Sequence, residues 1–199
     1  MSRGLRRPVL AALTTLAVLA APAQAETEEA VARIEPPADT VTLQIDGFTL
    51  HATGADGEPT HRLRGSRLRE FGRDGPQWID DPELDLYAEG TIQWHWTAPA
   101  ALHQPDAQTL DTVGPTRGRQ PAHGERVETV IDSSDVRIAT ETMVATSEAR
   151  STLTQPGLFQ RGTGLRVDSR ADTIELFHDV YSLYSETSEE DRPHDVDPR

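Results

Sequence analysis

The sequence predicts an antiparallel all-β protein, built as a sandwich, a jellyroll or a barrel. Apolar residues alternate with polar ones along several short segments, which is typical of strands with one face turned to water. Turn-forming groups rich in Gly, Pro, Asp and Ser separate these segments at short intervals. The stretch with the most helix-forming residues, 141–150, is flanked by strand-like sequence and is too short for a stable helix, so we assign it to a strand as well.

The alternating segments follow one another along the folded part of the chain. Their apolar members are Val41, Leu43 and Ile45; Ile92, Trp94 and Trp96; Val136 and Ile138; Leu165 and Val167; and Ile174, Leu176, Val180 and Tyr184. The turn groups are ADGE at 55–58, RDGP at 73–76, AEG at 88–90, DSSD at 132–135, QPG at 155–157 and RGTG at 161–164. We expect the segment 114–124, rich in Gly, Pro and Arg, to form a long irregular loop.

The N-terminal residues 1–25 have the pattern of an export signal. Arginines at the start precede an apolar stretch over 9–21, and Ala23 and Ala25 supply the small residues that a signal peptidase needs. We favour cleavage after Ala25 because the stretch is shorter than a membrane span of about 20 residues. A retained segment would instead anchor the chain in the inner membrane, and both outcomes place the body in the periplasm.

The rest of the chain divides into three parts by composition. Residues 26–39 are Glu, Ala and Pro without an apolar period and are interpreted as a linker. Residues 40–185 are the folded domain, and residues 186–199 form an acidic, flexible tail.

Composition excludes several classes of function. The 199 residues carry 33 acidic and 19 basic side chains, every basic one an arginine, for a net charge of −14. Binding of nucleic acid needs clustered positive charge, so no nucleic-acid partner is expected. The complete absence of cysteine removes disulfides, thiolate metal sites and cysteine nucleophiles. The small share of aromatic residues predicts a small or open core.

No motif for catalysis or metal binding is present. The histidines have no spacing that would bring two onto one face of an element. They are His51, His61, His95, His103, His123, His178 and His194. The adjacent Asp80 and Asp81 are interpreted as surface charge, and no nucleophile elbow or phosphate-binding glycine loop occurs. We therefore predict no enzyme activity, no catalytic residues, no metal and no cofactor.

Two features of the strands remain open to more than one interpretation. His178 is in register with Leu176 and Val180, so it is either an interior histidine with a hydrogen-bond partner or a residue beside a cavity. Trp94 and Trp96 point to one face of their strand, which ordinary core packing explains best and the wall of an apolar groove explains as an alternative.

A set of short motifs, in order and at moderately specific spacing, resembles the LptC family of lipopolysaccharide export. The motifs are Gly57 followed by HRLRG at 61–65, DPELDLY at 81–87, WHWTA at 94–98, IAT at 138–140, GTGLRVDS at 162–169 and the closing strand at 174–184. The resemblance covers most of residues 47–185. It implies an open, twisted β-jellyroll of two antiparallel sheets, which receives lipopolysaccharide from an inner-membrane ABC transporter and passes it to the periplasmic bridge protein LptA.

The resemblance also implies roles for particular residues. Phe48, Ile79, Ile174 and Tyr184 would line the lipid-binding groove, with Trp94 and Trp96 in its wall. Gly57 and Gly164 match family glycines at strand ends or turns. The last strand would bind the next jellyroll through its edge, and the residues we assign to this docking edge are Thr173, Ile174, Leu176, Val180 and Tyr184. An interior strand with both edges already paired is the alternative.

Three departures from the family pattern and two rival functions remain. The N-terminal apolar segment is short, the usual turn after the middle strand is not recognisable around 110–114, and the segment 114–124 has no family role. The rivals are a structural bridge jellyroll that binds no lipid itself and a periplasmic jellyroll enzyme. The missing acid–base and metal constellations count against the enzyme.

Overall fold

The computed structural model describes residues 34–185, where all strand pairing is antiparallel and no helix is present. The strands are β1 (Val41–Thr53), β2 (Pro59–Phe71), β3 (Gln77–Asp80), β4 (Glu83–Ala88), β5 (Thr91–Thr97), β6 (Ala100–Gln104), β7 (Thr109–Val113), β8 (Pro115–Gln120), β9 (Thr129–Ser134), β10 (Arg137–Ala139), β11 (Val144–Gln155), β12 (Leu158–Asp168) and β13 (Thr173–Tyr184). The prediction of an antiparallel all-β protein with a β-jellyroll architecture is confirmed.

The topology is a meander in which some long strands are interrupted in the middle. β3 and β4 both pair with β2, one along its second half and the other along its first half. β6 pairs with β3 and β5 pairs with β4. Next, β7 pairs with β6 and β8 pairs with β5. Finally, β10 and β9 pair with different halves of β11. The result is two half-sheets that share the long strands β1, β2, β11, β12 and β13.

A line of breaks, which we call the crease, separates the two half-sheets. It crosses the chain at residues with a left-handed backbone, among them Gly47, Asp81, Gly114, Asp135 and Gly164, whose φ angles are 66°, 50°, 77°, 51° and 79°. Backbone groups at the crease remain paired: the Asp81 N–H donates to the Pro99 carbonyl at 3.0 Å and the Asp135 N–H to that of Gly114 at 3.2 Å. The predicted two sheets are therefore the two halves of one hydrogen-bonded sheet that is folded along the crease.

The core lies between the inner faces of the half-sheets. One half contributes residues such as Ile79, Leu110 and Ile138, the other contributes residues such as Leu86 and Trp96, and all belong to a single buried cluster. Because the cluster joins both halves, the sheet is closed on itself at its centre. The free ends of the half-sheets, opposite the crease, form what we call the mouth.

Two segments that the sequence predicts as irregular are strand. Within 114–124, residues Pro115–Gln120 form β8, whose inward positions are Thr116, Gly118 and Gln120. Arg117 and Arg119 on the outer face pair with Asp132 and Glu128 at 2.7 Å and 2.5 Å. This cross-strand pairing with β9 overrides the turn propensity of Gly and Pro. The predicted RGTG turn at 161–164 is likewise part of β12, where its glycines lie at the crease.

Two further predictions have mixed outcomes. The segment 141–150 is strand from Val144 onward, after a turn that ends at Met143. The prediction of an interior, hydrogen-bonded His178 is wrong, because its side chain is exposed on β13. The reason is its position next to an irregularity in the β12–β13 register, on a strand that no further described strand covers.

The predicted signal segment 1–25, most of the linker and the tail 186–199 lie outside the described residues.

Candidate functional site

The interior of the folded sheet is closed over its middle strands. Trp94 and Trp96 project inward from β5 and stack with ring centroids 5.3 Å apart and an interplanar angle of 22°. Gly118 of β8 leaves the space for the Trp96 ring, because a Cβ there would lie 2.6 Å from it. Ile79 on β3 is 0% exposed in the same cluster. These three predicted lipid-binding residues are therefore core residues in this conformation.

At the β1 end, the same apolar face emerges from the core. The Phe48 ring lies over Gly65 of β2 beside Ile79, since a Cβ on Gly65 would meet both side chains at 2.7 Å and 2.6 Å. Cross-strand partners share a face, so Ile45 and Leu50 face inward opposite the buried residues Leu68 and Leu63. Ile45 and Leu50 are nevertheless exposed, and inward-facing apolar surface is accessible here.

The β13 end repeats this arrangement. Ile174 and Leu176 pack on the core opposite Val167 and Leu165 of β12, and both are half-buried. Val180 reaches over Gly162, and Tyr184 lies opposite Leu158 at the end of the strand. Tyr184 is 72% exposed. The structure thus places Phe48 and Ile174 at the margins of the core and Tyr184 at an open end.

The free edge of β13 holds the five residues predicted for partner docking. Within residues 34–185, β13 pairs only with β12, so its other edge has no strand partner there. Its outer face carries the exposed apolar residues Phe177, Tyr181 and Leu183, which sequence analysis missed. The signal was present in the sequence: the run FHDVYSLY at 177–184 has apolar residues in both phases of the alternation.

The outer face of the sheet is lined with pairs of arginine and carboxylate. N–O distances of 2.5 to 3.0 Å join Arg62 to Asp85, Arg64 to Glu83, Arg69 to Asp80, Arg117 to Asp132, Arg119 to Glu128 and Arg137 to Asp111. Four of these six pairs join direct cross-strand neighbours and so bridge two strands. The outer face is therefore hydrophilic along the middle strands, while the inner face is largely apolar.

Asp85 is the most buried carboxylate of this face. It is 2% exposed and accepts hydrogen bonds from Arg62 Nε and Nη2 at 2.9 and 2.6 Å, while His95 Nδ1 lies 2.6 Å from its other oxygen. Burial by itself would raise the pKa of Asp85, but these contacts outweigh it and lower the pKa. Asp85 therefore stays ionised and holds three strands together.

The mouth contains a cleft of about 600 Å³, lined by both polar and apolar residues, beside the β1–β2 turn. His61 lines one side of it, and His103 and Arg170 line the other. His103 Nδ1 lies 2.9 Å from Gln77 Oε1, and Gln77 donates to Glu70. Burial, with a smaller effect from His61, lowers the pKa of His103 to about 4, so the imidazole is neutral at pH 7. No cluster of three or more His, Asp or Glu within 34–185 is arranged to hold a metal ion.

The two glycines singled out in the sequence both have a left-handed backbone. Gly57, in the turn between β1 and β2, has a φ of 84° and open space around its Cα. Gly164 has a φ of 79°, and a Cβ there would lie 2.9 Å from the Phe177 ring. Both positions disfavour any side chain, and at Gly164 close packing adds to the conformational strain.

A folded antiparallel sheet with an apolar interior, open at both end strands, defines a β-jellyroll of the kind that exposes its inner face. The family model described as "Lipopolysaccharide-assembly, LptC-related" matches residues 8–185. The chain belongs to this LptC family, and membership implies a part in lipopolysaccharide transport. A comparison with curated proteins found no significant match. In the part of the chain that the structure covers, no helix has the length and apolar character of a membrane span.

Proposed function

We propose that the chain carries lipopolysaccharide across the periplasm. It would receive the lipid from an inner-membrane ABC transporter, shelter the acyl chains against its inner face and pass them to the next jellyroll, LptA. The observation that supports this proposal most directly is the accessible apolar inner face at both end strands, where Leu50 and Tyr184 are exposed. Exposure of such apolar surface to water is unfavourable, and contact with acyl chains would remove it from water.

The free energy of burying acyl chains suits a protein that releases its lipid again rather than one that holds it permanently. Burial of a methylene contributes about 0.8 kcal/mol, so partial shelter of several chains gives binding that can still be reversed. In this scheme Phe48 and Ile174 contact the chains first, and Tyr184 contacts them where they leave. Ile79, Trp94 and Trp96 become a lipid-contacting wall only when the two halves separate, because they are fully buried here.

The buried core also supports the rival function. With Trp94 and Trp96 covered at the centre, the protein could serve as a structural bridge that binds partners by its edges and holds no lipid. In both functions the free edge of β13 is proposed to dock LptA by adding a strand to the sheet. Retention or cleavage of the segment 1–25 would decide between an anchored and a free periplasmic protein.

Photocrosslinking separates the two functions. A photoreactive residue at Phe48, Ile174 or Tyr184 should label lipopolysaccharide, and one at Glu175, on the outer face of β13, is the matched control. Ile79 adds a test of opening, since its side chain is reachable only when the halves part. Labelling confined to the inner-face positions supports the carrier, whereas equal labelling at Glu175, or none at any position, favours the structural bridge.

A further inference from the structure

Arg126 lies in the loop between β8 and β9, across the mouth from the turn between β12 and β13. Its backbone is fixed by two hydrogen bonds with His123, each 3.0 Å long, which close a tight turn at Gly124 and Glu125. Its Nη1 donates to Gln93 Oε1 at 2.5 Å. The side chain is only 18% exposed. A guanidinium is therefore held in place and largely removed from water at the end of the apolar interior.

The opposite half-sheet reaches this arginine through one carboxylate. Asp172, in the turn between β12 and β13, has a φ of 51° and accepts a hydrogen bond from Gln120 Nε2 at 2.9 Å. The same Asp172 oxygen lies 3.8 Å from Arg126 Nη1. Gln120 is a buried, inward-facing residue of β8, so this contact joins the two halves across the mouth. We call Gln120, Arg126 and Asp172 the latch.

The latch leaves one edge of Arg126 unsatisfied. The Nε and Nη2 atoms are buried and have no hydrogen-bond partner among the described residues. These two nitrogens form the edge of a guanidinium that binds two oxygens of a phosphate or a carboxylate at once. Asp172 is the only carboxylate within 4 Å of Arg126 in the described chain, and its contact is made at the other nitrogen.

We propose that Arg126 is a phosphate-binding site at the mouth, and that a phosphate of the lipopolysaccharide headgroup opens the latch when it binds there. This inference rests on the proposed function. The Nε and Nη2 edge becomes accessible when the halves part, and a phosphate that occupies it repels Asp172 and holds the halves apart. The acyl chains then gain access to the interior at the place where the headgroup is held, so recognition of the headgroup is coupled to opening of the sheet.

Binding measurements on the full chain test the site. The probes are lipopolysaccharide, the same lipopolysaccharide with its phosphates removed, and inorganic phosphate alone. Wild-type protein should bind the phosphorylated lipid about tenfold more tightly than the dephosphorylated one, as expected for a charged hydrogen-bonded pair. Arg126→Gln should abolish this preference, Arg126→Lys should retain part of it, and Asp172→Asn should strengthen binding of the phosphorylated lipid about threefold by removing the repulsion. Arg119→Gln, an exposed arginine of the outer face, is the control and should leave the preference unchanged.

The opening has its own readout. Because the chain contains no cysteine, a pair introduced at the exposed positions Glu125 and Ala171 can be spin-labelled uniquely. The phosphorylated lipid should shift the distance between the labels to larger values, and the dephosphorylated lipid should not. A thermal unfolding curve for each variant establishes that it is folded.

The outcomes are distinguishable. Equal binding of both lipids by wild type, or a preference that survives in folded Arg126→Gln, overturns the phosphate site and leaves lipid carriage intact. Failure of wild type to bind either lipid overturns the proposed function itself. Tight, Arg126-dependent binding of inorganic phosphate that does not compete with lipid assigns the site to free phosphate and contradicts the headgroup assignment.

Discussion

The middle of the folded sheet and its two end strands use the same inner face in different ways. At the centre, Trp94 and Trp96 are covered by the opposite half and are fully buried. On β1 and β13, inward-facing residues such as Leu50 and Val180 extend the same face but remain exposed. The difference shows that accessible apolar surface here is a consequence of position in the sheet, because within residues 34–185 each end strand has a neighbouring strand on one side only.

The largest expected effect is a difference in stability between a substitution at the centre of the sheet and one on an end strand. Trp96→Ala removes a buried ring at the centre and should lower the free energy of unfolding by about 3–5 kcal/mol. Phe177→Ala removes an exposed ring from β13 and should lower it by less than about 1 kcal/mol. Urea unfolding of the two variants and wild type measures both values. Equal losses would mean that the end strand is as well packed as the centre, and the comparison would fail.

The pH dependence of stability offers a second comparison, between His103 at the mouth end of a middle strand and His178 on an end strand. The folded pKa of His103 is about 4, while an unfolded histidine takes up a proton near pH 6.5. As pH falls between these values, only the unfolded state binds this proton, so His103 should make wild type less stable by about 3 kcal/mol at pH 4 than at pH 6.5. His103→Gln should remove this part of the dependence, whereas His178→Gln on the exposed end strand should not. A wild-type pH profile that matches that of His103→Gln would contradict the prediction.

The smallest effect on stability should come from the open edge of β13. Along a strand, consecutive residues direct their backbone groups alternately to one neighbour and to the other. Of the variants Ser182→Pro and Leu183→Pro, one therefore disrupts pairing with β12 and the other only blocks the free edge. The edge variant should lose less than about 1 kcal/mol of stability and still fail to capture LptA. Capture of LptA by both variants at wild-type affinity would show that the free edge is not the docking site.

Sequence alone could predict the strands but not the crease. Alternation holds within each half-strand, which is why Trp94 with Trp96 and Leu165 with Val167 indicate strands directly. Across the crease the pattern shifts: the inward positions on β1 are Ile45 and then Phe48, three positions apart, with Gly47 between them. Gly47 and Gly164 therefore lie within continuous strands, whereas Asp81 and Asp135 lie between strands at the same crease. β8 was not predicted because its Gly and Pro residues favour turns, a propensity that pairing with β9 overrides.

The candidate site was predictable in its chemistry and not in its accessibility. The inward direction of Ile79 and Ile174 follows from the apolar pattern, but burial of the first and exposure of Tyr184 depend on which strands lie at the ends. The latch was beyond sequence analysis because Gln120 and Asp172 are far apart in the chain and meet only after the sheet folds.

The crease also divides each long strand into two segments whose register is set separately. In β12 the inward residues Gly162 and Leu165 are an odd number of positions apart, with Gly164 at the break. Loss of one residue at such a break would keep the strand extended but rotate half of it by 180° about its own axis. The hydrophobic lining of that half would then point to solvent and its arginines to the interior, so a single-residue deletion at the fold line would turn half of a strand inside out.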